Sequence, residues 1–284
     1  MLALLLLALF CSTVQSRSPT IFCFIHTATP SHDTRAETIV QTWATRCDDY
    51  LFFTDSRMRT GIPHVFWPEL STRDHSWEKI RRVVKLLSKE EPFDWYLRAD
   101  DDAYVLVDNL RAFLKGYNAT EEHYLGFKWN FFTSHGYADG GAYILSHPTL
   151  MAFANIMEDP RCPDHHRAEE DQELAKCLEL IGIFPEDTRD RFGSDRFHHF
   201  HFSEHLEMYK DPFARSFGYY EPLKGKLNFS PQMVSFHHLS PYEMRIADFI
   251  LEKLSTNIED YSGDYHFNCN NFDNDNDDHK YHYM

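Results

Sequence analysis

Three consecutive carboxylates, Asp100, Asp101 and Asp102, end a strand-like segment and constrain the fold of this chain more than any other feature. Apolar residues alternate between positions 93 and 97, which predicts a strand of period two with the acids at its C-terminal end. In open α/β sheets, ligands bind at that end of the strands. A divalent cation with a diphosphate bound opposite would offset the repulsion between the carboxylates, because such cations prefer oxygen ligands. A solvated Asp-rich turn is the alternative, so the neighbouring motifs must decide.

Strands alternate with helices through the first hundred residues. Apolar runs at 21–25 and 51–54 predict strands, and apolar residues at helical spacing follow them at 36–43 and 77–87. This alternation predicts an α/β fold with a mostly parallel sheet, flanking helices and right-handed crossovers. The length of 284 residues and the hydrophobic content of 43% suit one large domain, which we expect to span residues 20–256.

The formal net charge of −16 argues against two classes of partner. Nucleic acids and anionic membranes bind clustered Lys and Arg, so neither is expected here. Part of the excess negative charge is concentrated near the end of the sequence, because seven acids and a single Lys lie between residues 255 and 284. We expect residues 257–284 to form an acidic, disordered tail.

An almost wholly apolar stretch, residues 1–11, precedes a polar segment. It is shorter than the roughly 20 residues of a transmembrane helix, so residues 1–19 are expected to be a signal peptide or a short signal anchor. Either would direct the chain to the secretory lumen, and sequons for N-glycosylation at Asn118 and Asn228 agree. An oxidising lumen permits disulfides, with buried thiols as the alternative. The candidate cysteines are Cys23, Cys47, Cys162, Cys177 and Cys269.

Paired glycines, Gly140 and Gly141, precede a short β-type run that ends at Ser146. Glycine lets a ligand approach the main chain, although an isolated pair is more often a plain turn. Ser146 is a suitable N-cap for a helix through residues 151–157.

A further helix is predicted to open near Glu170, with Leu174, Leu178 and Ile181 as its buried stripe. Asp171 lies on that stripe, so its carboxylate should point toward the core rather than toward solvent. Stabilisation of the helix dipole, worth about 0.3–1 kcal/mol, is the alternative, and it does not require a position on the inner face.

Two histidines, His237 and His238, lie between a strand-like run and the capping box of a helix that begins at 240–243. That helix is predicted to bury Ile246, Phe249, Ile250 and Leu254. An imidazole fixed at this junction is well placed to bind a metal held elsewhere by Asp, although a lone histidine there is more often packed. A second histidine cluster, residues 197–205, has no Cys or Asp at zinc spacing and is interpreted as aromatic packing with polar tips.

In their order and spacing, these motifs resemble the β1,3-glycosyltransferases of glycosyltransferase family 31, most closely the branch that builds the core 1 disaccharide. The resemblance covers roughly residues 20–250. Its most specific segments are TWATRC at 42–47, the acid motif with YVLVDNL at 104–110, ED at 170–171 with CLE at 177–179, VSFH at 234–237, and FH at 197–198 with EH at 204–205. The chain departs from the family in its short leader, in Ala142 and Tyr143 where a third glycine is usual, and in residues 230–233, which replace paired cysteines. The acceptor side is therefore expected to differ.

The resemblance implies a GT-A fold, a UDP-sugar donor, Mn²⁺ as cofactor and inversion at the anomeric carbon. By matching positions, it implies metal binding by Asp100, Asp102 and His237, catalysis by Asp171 as base, and disulfides Cys23–Cys47 and Cys162–Cys177. It also implies that the donor is bound by His26, Arg35, Lys79 and Asp101. Gly140 and Gly141 are implied to lie in a loop between donor and acceptor.

The reaction expected from the resemblance transfers galactose from UDP-galactose to O-linked GalNAc on a glycoprotein in the Golgi, with a homodimer as one option for assembly. A β1,3-N-acetylglucosaminyltransferase or another hexosyltransferase of the superfamily is the alternative enzyme. A catalytically silent, chaperone-like lumenal paralogue is the non-enzymatic alternative. The intact acid motif at 100–102 favours catalysis.

Overall fold

A six-stranded sheet in the order β3-β2-β1-β4-β7-β6 forms the centre of the molecule, as seen in a computed structural model that describes residues 17–162 and 164–255. Its strands are β1 (Ile21–His26), β2 (Asp49–Thr54), β3 (His64–Phe66), β4 (Trp95–Asp100), β6 (Tyr124–Trp129) and β7 (Tyr137–Ser146). A separate antiparallel pair consists of β5 (Tyr104–Val105) and β8 (Ser235–Phe236). Pairs among β1 to β4 are parallel, whereas β7 runs antiparallel to both β4 and β6.

Eight α-helices are present in the described part of the chain. They are α1 (Glu37–Gln41), α2 (Ser76–Leu87), α3 (Val107–Leu114), α4 (His147–Ile156), α5 (Glu170–Glu179), α6 (Phe202–Glu207), α7 (Pro212–Phe217) and α8 (Pro241–Ser255). Single turns of 3-10 or π-helix lie at Thr29–Ser31, His32–Ala36, Ala44–Arg46, Pro68–Leu70, Arg73–His75, Met208–Lys210 and Gly225–Asn228. Helices α2, α4 and α5 pack against one another, and α5 also contacts β7. The predicted α/β fold, a mostly parallel sheet with flanking helices, is confirmed.

Strand β4 is buried on both faces, which differs from the one-sided alternation expected from its sequence. Trp95, Tyr96, Leu97, Arg98 and Ala99 are all buried, because helices or loops cover each side of a central strand. The register pairs His26 of β1 with Asp100 of β4, so the acids emerge beside the end of β1. The C-terminal edge of the parallel strands thus carries the polar residues, as predicted.

Three local predictions were wrong. Gly140 and Gly141 lie inside β7 rather than in a turn before it. Ile181 lies beyond the end of α5 and is 41% exposed. Ile246, Phe249 and Ile250, three residues of the stripe predicted to be buried on α8, are exposed. The caps were predicted correctly: the Ser146 hydroxyl accepts from Thr149 N, and Ser240 and Glu243 form the capping box.

Both implied disulfides are present. Cys23–Cys47 links β1 to the turn before β2, and Cys162–Cys177 links the segment after α4 to α5. Cys269 lies outside the described residues, as do most of the predicted leader and all of the predicted tail. Within the described residues, no helix combines the length and the apolar character that crossing a bilayer requires. The chain divides into two units at Asp248, and the described part of the second unit is Phe249–Ser255, the end of α8.

The two sequons differ in their surroundings. Asn118 lies on an exposed turn, where its side-chain oxygen accepts hydrogen bonds from Thr120. Asn228 is 1% exposed, and its Oδ1 accepts from Leu223 N while its Nδ2 contacts His205 Nδ1. A glycan on that nitrogen would have to displace these contacts, and glycosylation at Asn228 stays a prediction.

Candidate active site

One cleft, with a volume of about 500 Å³, opens at the C-terminal ends of β1 and β4. It collects every residue that the sequence proposed for metal, donor, base and glycine roles. These residues are His26, Arg35, Lys79, Asp100, Asp101, Asp102, Gly140, Gly141, Asp171 and His237. They come from segments spread over more than two hundred residues, which chance would rarely bring together.

The pairing of β5 with β8 brings the acids and the histidine together. Tyr104 pairs with Phe236, and Leu239 N donates a 3.0 Å hydrogen bond to the carbonyl of Asp102. As a result, His237 Nε2 lies 2.9 Å from Asp102 Oδ1 and 3.5 Å from Asp100 Oδ2. One oxygen from each of two carboxylates therefore faces the same imidazole nitrogen.

These three groups stabilise positive charge at their meeting point. Burial alone would lower the pKa of His237, but hydrogen bonds to Asp100 and Asp102 raise it to about 10. Burial would raise the pKa of Asp102, and its contact with His237 holds that pKa below the usual range instead. Oxygen donors combined with imidazole suit a divalent cation of borderline hardness, which would take the place of the proton on His237. The donor set fits Mn²⁺.

A third carboxylate, Asp139, approaches the other nitrogen of the His237 ring. Its Oδ1 lies 3.8 Å from His237 Nδ1 and accepts a 2.8 Å hydrogen bond from Gly141 N. Its Oδ2 accepts from Trp129 Nε1 at 2.9 Å, and His199 Nδ1 lies 2.5 Å from the same oxygen. At 3.8 Å the contact with His237 is longer than a hydrogen bond, and Asp139 acts on this ring through its negative charge, which helps to raise the pKa of His237.

The sequence did not reveal Asp139 and His199. His199 belongs to the histidine cluster that was interpreted as aromatic packing, and it lines the cleft instead. That interpretation does hold for its neighbour His198, which is buried and stacks on Phe236. The position of Asp139, directly before the glycine pair, is the sequence signal that could have identified it.

Arg98 is a buried cation of the site that the sequence did not reveal. Its Nη2 lies 2.8 Å from Asp100 Oδ1 and 2.8 Å from Glu170 Oε1, while Tyr143 OH donates to Glu170 Oε2. Burial would lower the pKa of Arg98, but the two carboxylates hold it above its usual range. For Glu170, burial outweighs the attraction of Arg98 and raises its pKa to about 8.

Asp171 stands on the inner side of α5, as the helical spacing predicted. Its Oδ2 accepts a 2.8 Å hydrogen bond from Gly140 N, and its Oδ1 accepts one of 2.9 Å from Gln172 N. Burial and the negative charge of Asp139 raise its pKa to about 7. A carboxyl group with a pKa near neutral can accept a proton more readily than an ordinary aspartate.

The proposed donor-side residues line the same cleft. His26 stacks on Phe53, and burial followed by the charge of Arg98 lowers its pKa to about 3, so its imidazole is neutral. Lys79 is 2% exposed and lies with its Nζ 3.3 Å from His26 Nε2. Its own pKa is lowered by burial.

Arg35 and Asp101 are the other two proposed donor-side residues. Arg35 Nη1 lies 3.1 Å from Asp101 Oδ1 and 3.5 Å from Asp102 Oδ2. Asp101 also accepts a 2.7 Å hydrogen bond from Thr27 Oγ1. Because both of its oxygens are engaged, Asp101 serves to hold the acid motif against the segment after β1.

Comparison with known proteins gives matches over most of the chain. A family model described as Fringe-like matches residues 16–131. Glycoprotein-N-acetylgalactosamine 3-beta-galactosyltransferase 1 of Xenopus laevis is 30% identical over 247 residues, covering 84% of this chain and 68% of the relative. Beta-1,3-glucosyltransferase of Mus musculus is 23% identical over 176 residues, covering 60% of this chain and 35% of the relative.

Proposed function

The chain belongs to glycosyltransferase family 31, and we propose that it is an inverting β1,3-galactosyltransferase that transfers galactose from UDP-galactose to O-linked GalNAc on glycoproteins. Both sugars appear in the name of the Xenopus laevis relative. The proposal places the reaction in the lumen of the secretory pathway, most specifically the Golgi. The two disulfides support an oxidising compartment.

One observation carries the catalytic part of the proposal: adjacent residues of β7 touch the two halves of the site. Gly140 donates its N–H to Asp171, and the backbone of Gly141 packs against the ring of His237. Two adjacent residues of a buried strand therefore contact the proposed base and the proposed metal ligand. This arrangement suits a displacement in which the hydroxyl attacks from one side and the leaving group departs from the other.

Asp100, Asp102 and His237 would hold Mn²⁺ and, through it, the diphosphate of the donor. When bound, the cation supplies positive charge that stabilises the departing phosphate. Arg98 holds Asp100 in place from below through a buried ion pair at 2.8 Å. Asp101 and Arg35 hold the acid motif from the side.

Asp171 would receive the proton of the acceptor hydroxyl. Its two backbone hydrogen bonds orient the carboxylate, and its side chain lines the cleft. General-base assistance of this kind contributes typically about 10²–10⁴-fold. Attack from the side opposite UDP inverts the anomeric carbon and gives a β-linkage.

Lys79 and Arg35 are proposed to contact the phosphates of the donor, since both are cationic and line the same cleft as the acid motif. Neutral His26 lies between Lys79 and Asp100, 3.8 Å from the latter. It would act as a spacer that keeps the lysine apart from the carboxylates.

A different hexosyl donor is the second candidate, and the Mus musculus relative named as a glucosyltransferase supports it. Incubation of the protein with a GalNAc-bearing peptide and UDP-galactose, UDP-glucose or UDP-N-acetylglucosamine, with and without Mn²⁺, separates the two. We expect Mn²⁺-dependent transfer of galactose and a β1,3-linkage by NMR. Transfer of another sugar would change the donor assignment, and UDP binding without transfer to any acceptor tested would favour the silent paralogue.

A further inference from the structure

We propose that His238 is a second imidazole ligand of the metal, so that the cation is bound by Asp102, His237 and His238 together. The inference rests on the proposed function only for the presence of a metal, and it concerns a residue outside the ligand set implied by the family resemblance. Among the described residues, these three form one of the groups whose candidate ligand atoms all lie within 4.8 Å of one another.

The backbone at His238 explains how two consecutive imidazoles reach one carboxylate. In an extended segment, neighbouring side chains point to opposite faces. His238 has a φ of 59°, in the left-handed region that residues other than glycine seldom adopt. This turn places its ring on the same side as that of His237, with ring centroids 3.9 Å apart and planes 19° from parallel. Because imidazole lone pairs lie in the ring planes, the half-exposed His238 ring turns out of this stack when both imidazoles bind one ion.

Each oxygen of Asp102 faces a different imidazole. Oδ1 lies 2.9 Å from His237 Nε2, and Oδ2 lies 3.8 Å from His238 Nδ1. The His238 ring is half-exposed toward the cleft, so its nitrogen is accessible to an incoming ion. Arg35 also approaches Oδ2, at 3.5 Å, but its shorter contact of 3.1 Å is with Asp101.

A second imidazole changes which ion the site prefers. Carboxylates alone suit Mg²⁺ and Mn²⁺, whereas each added imidazole favours later transition metals such as Co²⁺ and Zn²⁺. We therefore expect His238 to contribute more to the binding of Co²⁺ than to that of Mn²⁺.

Electron spin-echo spectroscopy of the full chain loaded with Mn²⁺ alone counts the nitrogens bound to the ion. We expect two for the unmodified protein and one for His238→Phe, which keeps the stacked ring but has no nitrogen. Calorimetry should show that this substitution weakens Co²⁺ binding at least about tenfold. The matched control, His135→Phe, removes an exposed histidine that pairs with Glu179 and should change neither measurement.

A single nitrogen in the unmodified protein would overturn the assignment of His238, whether or not the variant folds. That result would leave the proposed function intact, because one imidazole and two carboxylates still bind Mn²⁺. Absence of any Mn²⁺ binding would overturn both the assignment and the metal-dependent reaction.

Discussion

The backbone N–H of Gly140 donates a 2.8 Å hydrogen bond to Oδ2 of Asp171, joining a central strand to the first turn of α5. A side chain at position 140 would crowd this carboxylate, since an added Cβ would lie 3.1 Å from Oδ2. The contact fixes the direction in which Asp171 faces the cleft. It is the geometric basis of the proposed role as base.

Replacement Asp171→Asn should separate catalysis from structure. The amide keeps the size of the side chain and one hydrogen-bond acceptor, but it cannot take a proton. We expect transfer to fall by at least about 10²-fold while Mn²⁺-UDP binding is retained. The melting temperature should fall modestly, because one of the two backbone N–H groups that donate to Asp171 then faces the amide nitrogen. Single-turnover transfer and thermal melting on the same preparation test this. Near-normal turnover would end the assignment and make Glu170 the next candidate.

The rate of transfer by the unmodified protein should depend on pH through the ionisation of Asp171. Asp171 is active as the carboxylate, and its pKa is raised to about 7. Transfer should therefore decline about tenfold for each pH unit below 7 and level off above it. Initial rates at saturating Mn²⁺ between pH 5 and 9 provide the measurement. A rate that is flat from pH 5 to 7 would contradict the raised pKa.

Loss of the buried cation Arg98 should destabilise the fold strongly. Arg98→Met leaves Asp100 and Glu170 without their shared partner, and breaking a buried ion pair typically costs about 3–5 kcal/mol. Adding Asp100→Asn should restore part of the loss, because burial disfavours the charge on Asp100 and Arg98 is what holds the pKa of that carboxyl below its usual range. Urea unfolding of both variants measures this. The exposed pair of Arg161 with Asp159 offers a control, and Arg161→Met should change little.

Substitution Gly141→Ala should weaken metal binding by displacing His237. A Cβ at this position would lie 2.5 Å from His237 Nδ1 and 2.9 Å from Asp139 Oδ1. We expect Mn²⁺ affinity to fall at least about tenfold, a typical cost of disturbing the support of a metal ligand. At Gly116 the nearest atom to an added Cβ is 3.4 Å away, so Gly116→Ala is the matched control. Equal Mn²⁺ affinity in both variants would show that the ring of His237 does not need this space.

Mn²⁺ binding should become tighter as the pH rises from 7 to 9. The pKa of His237 is about 10 in the metal-free protein, so the imidazole carries a proton that must leave before it can bind metal. Affinity should rise about tenfold per pH unit, with one proton released per ion. Calorimetry in buffers of different ionisation enthalpy counts that proton. In the metal-free protein, the same raised pKa contributes stability that is complete below about pH 6.5 and is lost as the pH rises toward 10.

The sheet and its polar edge were predictable from the sequence because they follow from local periodicity. The run ending at Asp100 and the stripe containing Asp171 could be recognised from neighbours a few residues away. The two glycines were placed before β7 because glycine is unusual inside a strand, and only the close approach of His237 and Asp171 explains their position.

The supporting residues of the site could not be predicted in the same way. Arg98 looks like the polar member of an alternating strand until both faces of β4 are seen to be covered. Asp139 and His199 meet only because β7 and the segment before α6 share the cleft. Such pairings depend on tertiary contacts between distant parts of the chain, which a single sequence does not record.

Burial of Asn228 makes glycosylation and folding compete for one side chain. The modifying enzyme needs this amide exposed, and the folded domain needs it against His205 and Leu223. A chain modified before Asn228 packs against His205 and Leu223 could not form these native contacts. A chain in which they form first buries the sequon. The glycan occupancy at Asn228 would therefore record, for each molecule, whether folding or modification came first.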